Sequence, residues 1–504
     1  MTDYVRKILD ARVYDVAVQT PLDAMVRLGA RIGAEVRLKR EDLQPIFSFK
    51  IRGAYNKLVR LSPEARAAGV ICASAGNHAQ GVALSARQLG VSATIVMPVT
   101  TPPIKIEAVR YFGAEVVLTG DTFDVAYEHA RKLERERGLT FVHPYDDPDV
   151  IAGQGTVAVE ILHQHPEPIE AIFVPVGGGG LAAGIASYVK FLRPETKVIG
   201  VEPIDAASMQ AAIRAGERVV LDRVGLFADG VAVRQAGVET FRLCRALLDD
   251  VITADTDAIC AAIKDVFEDV RVIAEPAGAL ALAGLKAYAA ENPVRTGTLV
   301  AINSGANMNF DRLRHVAERA EIGEAREILL AVTIPEVPGS YRRFIQTLGN
   351  RAITEFNYRY AAGEDAHVFV GVKLGDALKE KPPLIQALRD LGYRVLDISA
   401  DETAKLHIRY MVGGKAPALT DEVILRFEFP ERPGALMRFL DGVGKDWNIT
   451  LFHYRNHGAD YGRVLVGLQV PAGGRARLEA ELAELAYPYE DETENPAYRL
   501  FLGR

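Results

Sequence analysis

A lysine set among apolar and small residues opens the chemical reading of this chain. It is Lys50, in the stretch FSFKIRGAYNKL from Phe47 to Leu58. Lysine ordinarily holds its ammonium in water, yet Phe49 and Ile51 flank Lys50 and the pair Gly53-Ala54 follows. Ser48 is placed to cap a helix that begins at Phe49 or Lys50, so the lysine projects from its first turn. Desolvation lowers an amine's pKa, and a neutral amine forms an imine with an aldehyde. The alternative, an ordinary exposed helical lysine, suits Lys57 further along the same helix.

Three other motifs read as strand-to-helix turns that present backbone donors. In ASAGNHAQG, Ala73–Gly81, the Ser-Ala-Gly-Asn turn aims N–H groups outward at a helix N-terminus, where a carboxylate or phosphate binds. Asn77 adds a side chain that both donates and accepts. A capped structural turn explains the same residues. In VPVGGGGLAAG, Val174–Gly184, consecutive glycines let backbone amides wrap a phosphate. A rival reading stands beside it. Gly177, Gly179 and Ala182 satisfy G-x-G-x-x-A, and Glu202 ends the next strand, which is the dinucleotide fingerprint. In NSGANMNF, Asn303–Phe310, Ser304 points to the same rim as the glycines, or merely opens a helix. HPYDDPD, His143–Asp149, reads as a polar, Pro-rich loop rather than a metal site, since no ligand spacing supports it.

The elements that must position these residues alternate from Glu35 to about Phe310. Strands are expected at Val36–Lys39, Val70–Ala73, Ala93–Met97, Glu115–Leu118, Ala171–Val176, Val198–Val201 and Leu299–Asn303. Helical patterns lie between them, such as His78–Leu89, Ile104–Phe112, Asp124–Arg137 and Leu181–Leu192. Near-continuous apolar strands separated by amphipathic helices predict an α/β fold with an open, mostly parallel sheet covered on both faces. Ligands then bind beyond the carboxyl ends of the strands. Ala171–Val189 carries no charge, but its β-rich start and four glycines favour strand, turn and helix over a membrane span.

After about Arg326 the texture changes and a repeat appears. IPEVPGSYRRF (Ile334–Phe344) matches FPERPGALMRF (Phe429–Phe439), ITEFNYRY (Ile353–Tyr360) matches ITLFHYRN (Ile449–Asn456), and VFVGVKL (Val368–Leu374) matches VLVGLQV (Val464–Val470). The offset of about 95 residues is right for two duplicated domains. Each copy predicts a ferredoxin-like βαββαβ order. Boundaries follow: a first domain over 1–326, repeats over 327–399 and 422–504, and a linker over 400–421.

The 504 residues are 49% hydrophobic and 25% charged, with a net charge of −7, so no basic excess points to nucleic acid or a membrane surface. Three widely spaced cysteines suit neither a disulfide framework nor a zinc site, and fit a reducing cytoplasm. The charged N-terminus, MTDYVRKILDARVYD, has no apolar signal core.

Together SFKIRGA, SAGNHAQG, GGGGL, EPAGA (Glu275–Ala279) and NSGAN occur in the order found in pyridoxal-phosphate enzymes of the tryptophan-synthase-β type. The chain resembles their serine/threonine dehydratase branch. The doubled tail resembles that of the long biosynthetic threonine ammonia-lyases of isoleucine synthesis, which carry paired ACT-like domains. The resemblance runs from Thr20 to the C-terminus. It implies β-elimination that turns L-threonine, and also L-serine, into a 2-oxoacid and ammonia. By it, Lys50 holds pyridoxal 5′-phosphate as an imine and then removes the Cα proton. Asn77 meets the ring's phenolic oxygen, and Gly177, Gly178, Gly179, Gly180 and Leu181 cradle the phosphate. Ser304 meets the pyridine nitrogen, and Ser74, Ala75, Gly76, Asn77 and His78 hold the substrate carboxylate. It also implies inhibition by isoleucine opposed by valine, and a homotetramer. Tyr358 and Tyr454, equivalent in FNYR and FHYR, read either as effector contacts or as strand core. The turns Pro338-Gly339 and Pro433-Gly434 start helices whose free N–H groups suit an effector carboxylate.

Overall fold

A computed structural model describes residues 2–502, apart from 102, 293–296, 311, 325, 338, 360–364, 402–403, 406–407, 411–415, 417–418, 420, 431–434, 444–446, 456–460, 496–497 and 499–501. The chain divides into two compact units, Met1–Gly323 and Glu324–Arg504.

The first unit contains two sheets. The strands are β1 (Leu22–Ala24), β2 (Glu35–Arg40), β3 (Val70–Ala73), β4 (Ala93–Met97), β5 (Glu115–Leu118), β6 (Thr140–Phe141), β7 (Ile169–Pro175), β8 (Lys197–Pro203), β9 (Asp250–Ala254) and β10 (Thr298–Asn303). The larger sheet runs β1-β2-β10-β7-β8-β9, parallel except for β1. The smaller runs β5-β4-β3-β6 and is wholly parallel. Side chains alternate across the large sheet because the strand period is two. Ile172, Val174 and Ile302 join one core, with the helices Pro148–Gln164 and Gly180–Leu192. Ala171, Phe173 and Ala301 join the other, with Thr256–Val270 and Pro276–Glu291. Burial on both faces explains why these strands read as unbroken apolar runs. The charge-free segment Ala171–Val189 is accordingly most of β7, the glycine turn and a buried helix. No helix among the described residues is long and apolar enough to cross a membrane.

The strand pattern predicts mostly parallel sheet without saying how its strands divide, and the structure divides them between two sheets. Hydrophobic periodicity reports which faces are buried, not which strand neighbours which. The three strands missing from the sequence reading are β1, β6 and β9. β1 and β6 are too short to show a period.

Among the described residues the second unit has one antiparallel sheet of eight strands. They are β11 (Glu327–Pro335), β12 (Ile353–Arg359), β13 (Asp365–Lys373), β14 (Arg394–Asp397), β15 (Glu422–Pro430), β16 (Asn448–Arg455), β17 (Tyr461–Gln469) and β18 (Tyr489–Asp491). Their order is β14-β11-β13-β12-β16-β17-β15-β18, so each copy has ferredoxin-like order and the copies join edge to edge through β12 and β16. In that junction Phe356 pairs with Tyr454, Asn357 with His453, and Tyr358 with Phe452. Leu330, Val332, Phe427 and Val466 of the sheet share one core with Phe344, Leu388, Phe439 and Leu482 of the helices.

Gly339 starts the helix Ser340–Leu348 with φ +86°, but Pro338 and the whole Pro433-Gly434 turn lie outside the described residues. So does much of the 400–421 linker. A described part, the 3-10 turn Ile408–Tyr410, packs on the first copy: Arg409 pairs with buried Glu355, and Asn357 Nδ2 donates to the Arg409 carbonyl at 2.8 Å.

Candidate active site

The carboxyl ends of β3, β7 and β10 and the first turn of the helix Lys50–Leu58 converge on a cleft of about 1150 Å³ in the first unit. Backbone bonds seat Lys50 there. Phe49 N donates to Ser304 O at 3.3 Å and Ala306 N to Phe47 O at 2.9 Å, which stitches the segment before the helix to the turn after β10. The helix starts at Lys50, whose N–H reaches Ser48 Oγ at 3.4 Å. Glycines let neighbouring helices approach closely: a Cβ on Gly81 would lie 3.2 Å from Lys50 O, and one on Gly153 would lie 2.6 Å from Arg52 O.

The side of this helix away from the cleft is ionic and dry. Arg52 donates to both oxygens of Glu41 at 2.8 Å and to Glu160 Oε1 at 2.6 Å, while Lys39 Nζ donates to Glu160 Oε2 at 2.6 Å. Lys39 Nζ also reaches Thr20 O at 2.6 Å and Gln164 Oε1 at 3.0 Å. All four charged side chains are buried.

The cleft side is different. Lys50 Nζ donates to Pro144 O at 3.1 Å and sits 5.4 Å from the Phe49 ring centroid. Burial pushes its pKa down to about 8, opposed only by the Glu275 carboxylate. Ser74, Ala75, Gly76, Asn77 and His78 line the same cleft at the start of the helix Asn77–Leu89. No heavy atom lies within 4 Å of where a Gly76 Cβ would stand, so this glycine leaves space beside the turn. His78 differs from its neighbours. It is buried, its Nε2 meets Val142 O at 2.9 Å, and burial followed by Lys50 pushes its pKa down to about 3. Its imidazole anchors the turn, so the backbone is what it offers the cleft.

Facing Lys50 is the turn Gly177–Gly180. Gly179 has φ +94° and caps the helix Gly180–Leu192. A Cβ on Gly178 would lie 2.2 Å from the Tyr145 ring, and one on Gly177 2.9 Å from Val231 Cα. Thr240 Oγ1 donates to Gly178 O at 2.6 Å, which gives that carbonyl a partner within the protein. Leu181 is buried at the start of that helix. Ser304 is buried at the end of β10, where its hydroxyl donates to Ala277 O at 3.2 Å. The structure therefore brings every catalytic, cofactor and substrate residue singled out in the sequence to one cleft.

The dinucleotide reading fails on Glu202. Its carboxylate accepts from Met209 N and Gln210 N, both at 2.8 Å, and so holds the start of the helix Ser208–Ala215 instead of a ribose. The segment His143–Asp147 is a loop, as expected, while Pro148 and Asp149 already open a helix, and His143–Asp146 form a cleft wall. His143 Nδ1 accepts from Asp146 N at 2.8 Å, and Asp147 caps the helix Pro148–Gln164. Among the described residues no group of three His, Cys, Asp or Glu side chains could hold a metal.

Known proteins share this architecture and its tail. The family model described as "Pyridoxal-phosphate dependent enzyme" matches residues 13–305, and "C-terminal regulatory domain of Threonine dehydratase" matches 318–408 and again 414–502. The biosynthetic L-threonine dehydratase of Burkholderia multivorans is 59% identical over 99% of both chains. That of Escherichia coli is 55% identical over 99% of this chain and 97% of its own. The chain belongs to the biosynthetic threonine dehydratase family. Among solved structures, the processed form of threonine deaminase isoform 2 from Solanum lycopersicum superposes with a TM-score of 0.63 at 50% identity, covering 64% of this chain and 88% of its own.

The family's pyridoxal phosphate fits the residues present. The glycine turn is a cradle that side chains would fill, a helix N-terminus supplies donors for a phosphate, and the Lys50 amine donates to a neutral carbonyl, with Glu275 as the carboxylate it feels. Three further cleft residues to which the sequence reading gives no role stand close to the residues it names. Glu275 and Asn307 stand inside the family motifs EPAGA and NSGAN, and Tyr145 stands in the His143 loop. Motif membership was the signal for the first two. Nothing local marks Tyr145, because its place under Gly178 is a tertiary contact.

Proposed function

We propose that this chain converts L-threonine to 2-oxobutanoate and ammonia with bound pyridoxal phosphate, the first committed step of isoleucine biosynthesis, and that L-serine is a second substrate. The observation that carries the reading is the half-buried Lys50 amine facing a glycine cradle and Ser304 across one cleft. When bound, the cofactor supplies an electrophilic aldehyde and an electron sink. Everything else falls to the chain. Lys50, its pKa near 8, is the amine that carries the cofactor and moves the proton from the substrate Cα. Backbone N–H groups from Ser74 to His78 bind the substrate carboxylate, and Asn77 meets the ring oxygen. Gly177, Gly178, Gly179, Gly180 and Leu181 hold the phosphate. Ser304 stands at the ring nitrogen. A hydroxyl has one hydrogen, so Ser304 meets that nitrogen by swinging its O–H away from Ala277 O, and with no acidic proton to give near neutral pH it orients the nitrogen without protonating it.

The catalytic domain spans 1–326, the regulatory copies 327–399 and 422–504, with 400–421 between them. Isoleucine inhibits through these copies and valine opposes it. Tyr358 is buried in the core and donates to the Glu336 carboxylate, whereas Tyr454 is half-buried, so of the two Tyr454 is the more open to an effector. The working assembly is a cytoplasmic homotetramer.

The test is an absorbance spectrum of the purified protein followed by 2-oxobutanoate production. A visible cofactor band and threonine turnover are expected. A chain ending near Arg326 is expected to turn threonine over without responding to isoleucine, and full inhibition of that truncated chain would move the effector site into the catalytic domain. Tyr358→Ala and Tyr454→Ala should each weaken the isoleucine response at an unchanged uninhibited rate.

A further inference from the structure

Asn77 is gripped by two side chains whose chemistry dictates which way its amide faces. The carbonyl oxygen of Ile46 can only accept, and it takes one hydrogen of Asn307 Nδ2 at 2.7 Å. The other hydrogen of that nitrogen goes to Asn77 Oδ1, also at 2.7 Å. With Oδ1 assigned, Asn77 Nδ2 faces Glu275, and it donates to Glu275 Oε1 at 2.6 Å. An amide nitrogen carries two hydrogens, so one remains for the cleft. Glu275 is itself held in place: its N–H donates to Gly305 O at 3.1 Å, and a Cβ on Gly305 would come within 2.5 Å of Glu275 Oε1.

We infer that Glu275 is a positioning residue: acting through Asn77, it aims the remaining amide N–H at the ring oxygen of the bound cofactor, and the charge on its carboxyl is felt at the ring through that amide. The inference rests on the functional reading above. The charged groups facing Glu275 are Lys50 on its helix, Lys105 on the helix Pro103–Tyr111, and Asp229 in the 3-10 turn Asp229–Val231. Lys105 and Asp229 pair with each other at 2.7 Å, so much of their effect cancels. Burial first, then Asp229, raises the Glu275 carboxyl to about 7, against the Asn77 hydrogen bond, Lys105 and the Asn307 N–H. The carboxyl is therefore mostly neutral below that pH and mostly ionised above it.

The experiment compares the visible absorbance of the holoenzyme from pH 6 to 9, and cofactor binding to apo-protein, in wild type, Glu275→Gln, Asn77→Ala and the double variant. The wild-type band is expected to titrate with a midpoint near 7. Glu275→Gln, nearly isosteric, should displace the band, abolish that step and weaken cofactor binding roughly tenfold, the size of a lost charge-assisted hydrogen bond. In the Asn77→Ala background the step should already be absent, and adding Glu275→Gln should change nothing further. A Glu275→Gln band that titrates like wild type overturns the inference. So does an undiminished shift on adding Glu275→Gln to Asn77→Ala, since Glu275 would then act on the ring directly. If Glu275→Gln does not fold, Asn307→Ala serves: freeing Asn77 Oδ1 should displace the band and keep the pH step, and an unmoved band overturns the inference. Wild-type protein without any visible band defeats the functional reading instead.

Discussion

The two sides of the Lys50–Leu58 helix treat a buried lysine in opposite ways. Behind the helix, Lys39 Nζ is wrapped by a carboxylate, a carbonyl and an amide oxygen. Burial lowers its pKa, and Glu160 and Glu41 work against that fall. In front, Lys50 Nζ has one neutral carbonyl, and the carboxylate it feels, Glu275, is occupied with Asn77. Lys39 is fully buried and Lys50 half-buried at the cleft, so each amine has lost water. The difference lies in what replaces the water. A full set of acceptors makes a cation structural, whereas a partial set leaves an amine that can lose its proton and attack.

That contrast can be broken at several points. The largest effect is expected from Lys50→Ala, which should lose the visible cofactor band and cost at least about a thousandfold in turnover, with little change in thermal stability. Borohydride reduction and peptide mapping check the assignment, and a pyridoxyl group on another lysine would refute it. Lys39→Ala or Arg52→Ala should do the reverse. Each strands a buried carboxylate and should lower unfolding free energy by about 3–5 kcal/mol in urea titrations, while the folded fraction keeps the cofactor band. Gly178→Ala drives a methyl into the Tyr145 ring. It should cost about 1–3 kcal/mol and weaken cofactor binding, read by dialysis against decreasing cofactor.

The pH dependence sharpens the comparison further. Only the neutral amine attacks an aldehyde, so the rate of cofactor attachment to apo-protein should rise with pH and level off above about 8. A rate flat from pH 6.5 to 9 would show that Lys50 is not the titrating group. The smallest effect is expected at Lys57, the third lysine of the region. It pairs with Asp147 at 2.7 Å and keeps a fifth of its side chain exposed. Lys57→Ala should change stability by about 1 kcal/mol or less and leave the spectrum intact.

Much of this front face was legible before any coordinates. The anomaly of Lys50 among packing residues reflects a helix that Gly81 and Gly153 allow to be buried on two sides, and the four glycines reflect a turn in which Tyr145 and Val231 leave no room for a Cβ. Both are local demands, and local demands show in local sequence. The back face was not legible. Arg52, Glu41, Lys39 and Glu160 are ordinary charged residues in one dimension, and only folding brings them within 3 Å of one another. Glu275 lay between these cases, visible as part of a motif but without a task until Asn77 stood beside it. Strand identity followed from apolar runs, while the partition into two sheets depended on pairings across more than a hundred residues, such as β2 with β10.

The junction of β12 and β16 has an assembly history written in its register. Phe356 and Phe452 are equivalent positions of the repeat, as are Tyr358 and Tyr454, and each phenylalanine faces the other copy's tyrosine. Such reciprocal matching is what a two-fold homodimer of single copies would make along that edge. Fusion into one chain replaces a concentration-dependent association with a permanent one, since the tether holds the second copy at a high effective concentration. It also frees the two halves to diverge. On the pseudo-two-fold axis itself a true dimer must place identical residues, but here Asn357 faces His453. The fused sheet can therefore hold a different residue on each side of its own centre, and the two copies need not answer the same small molecule.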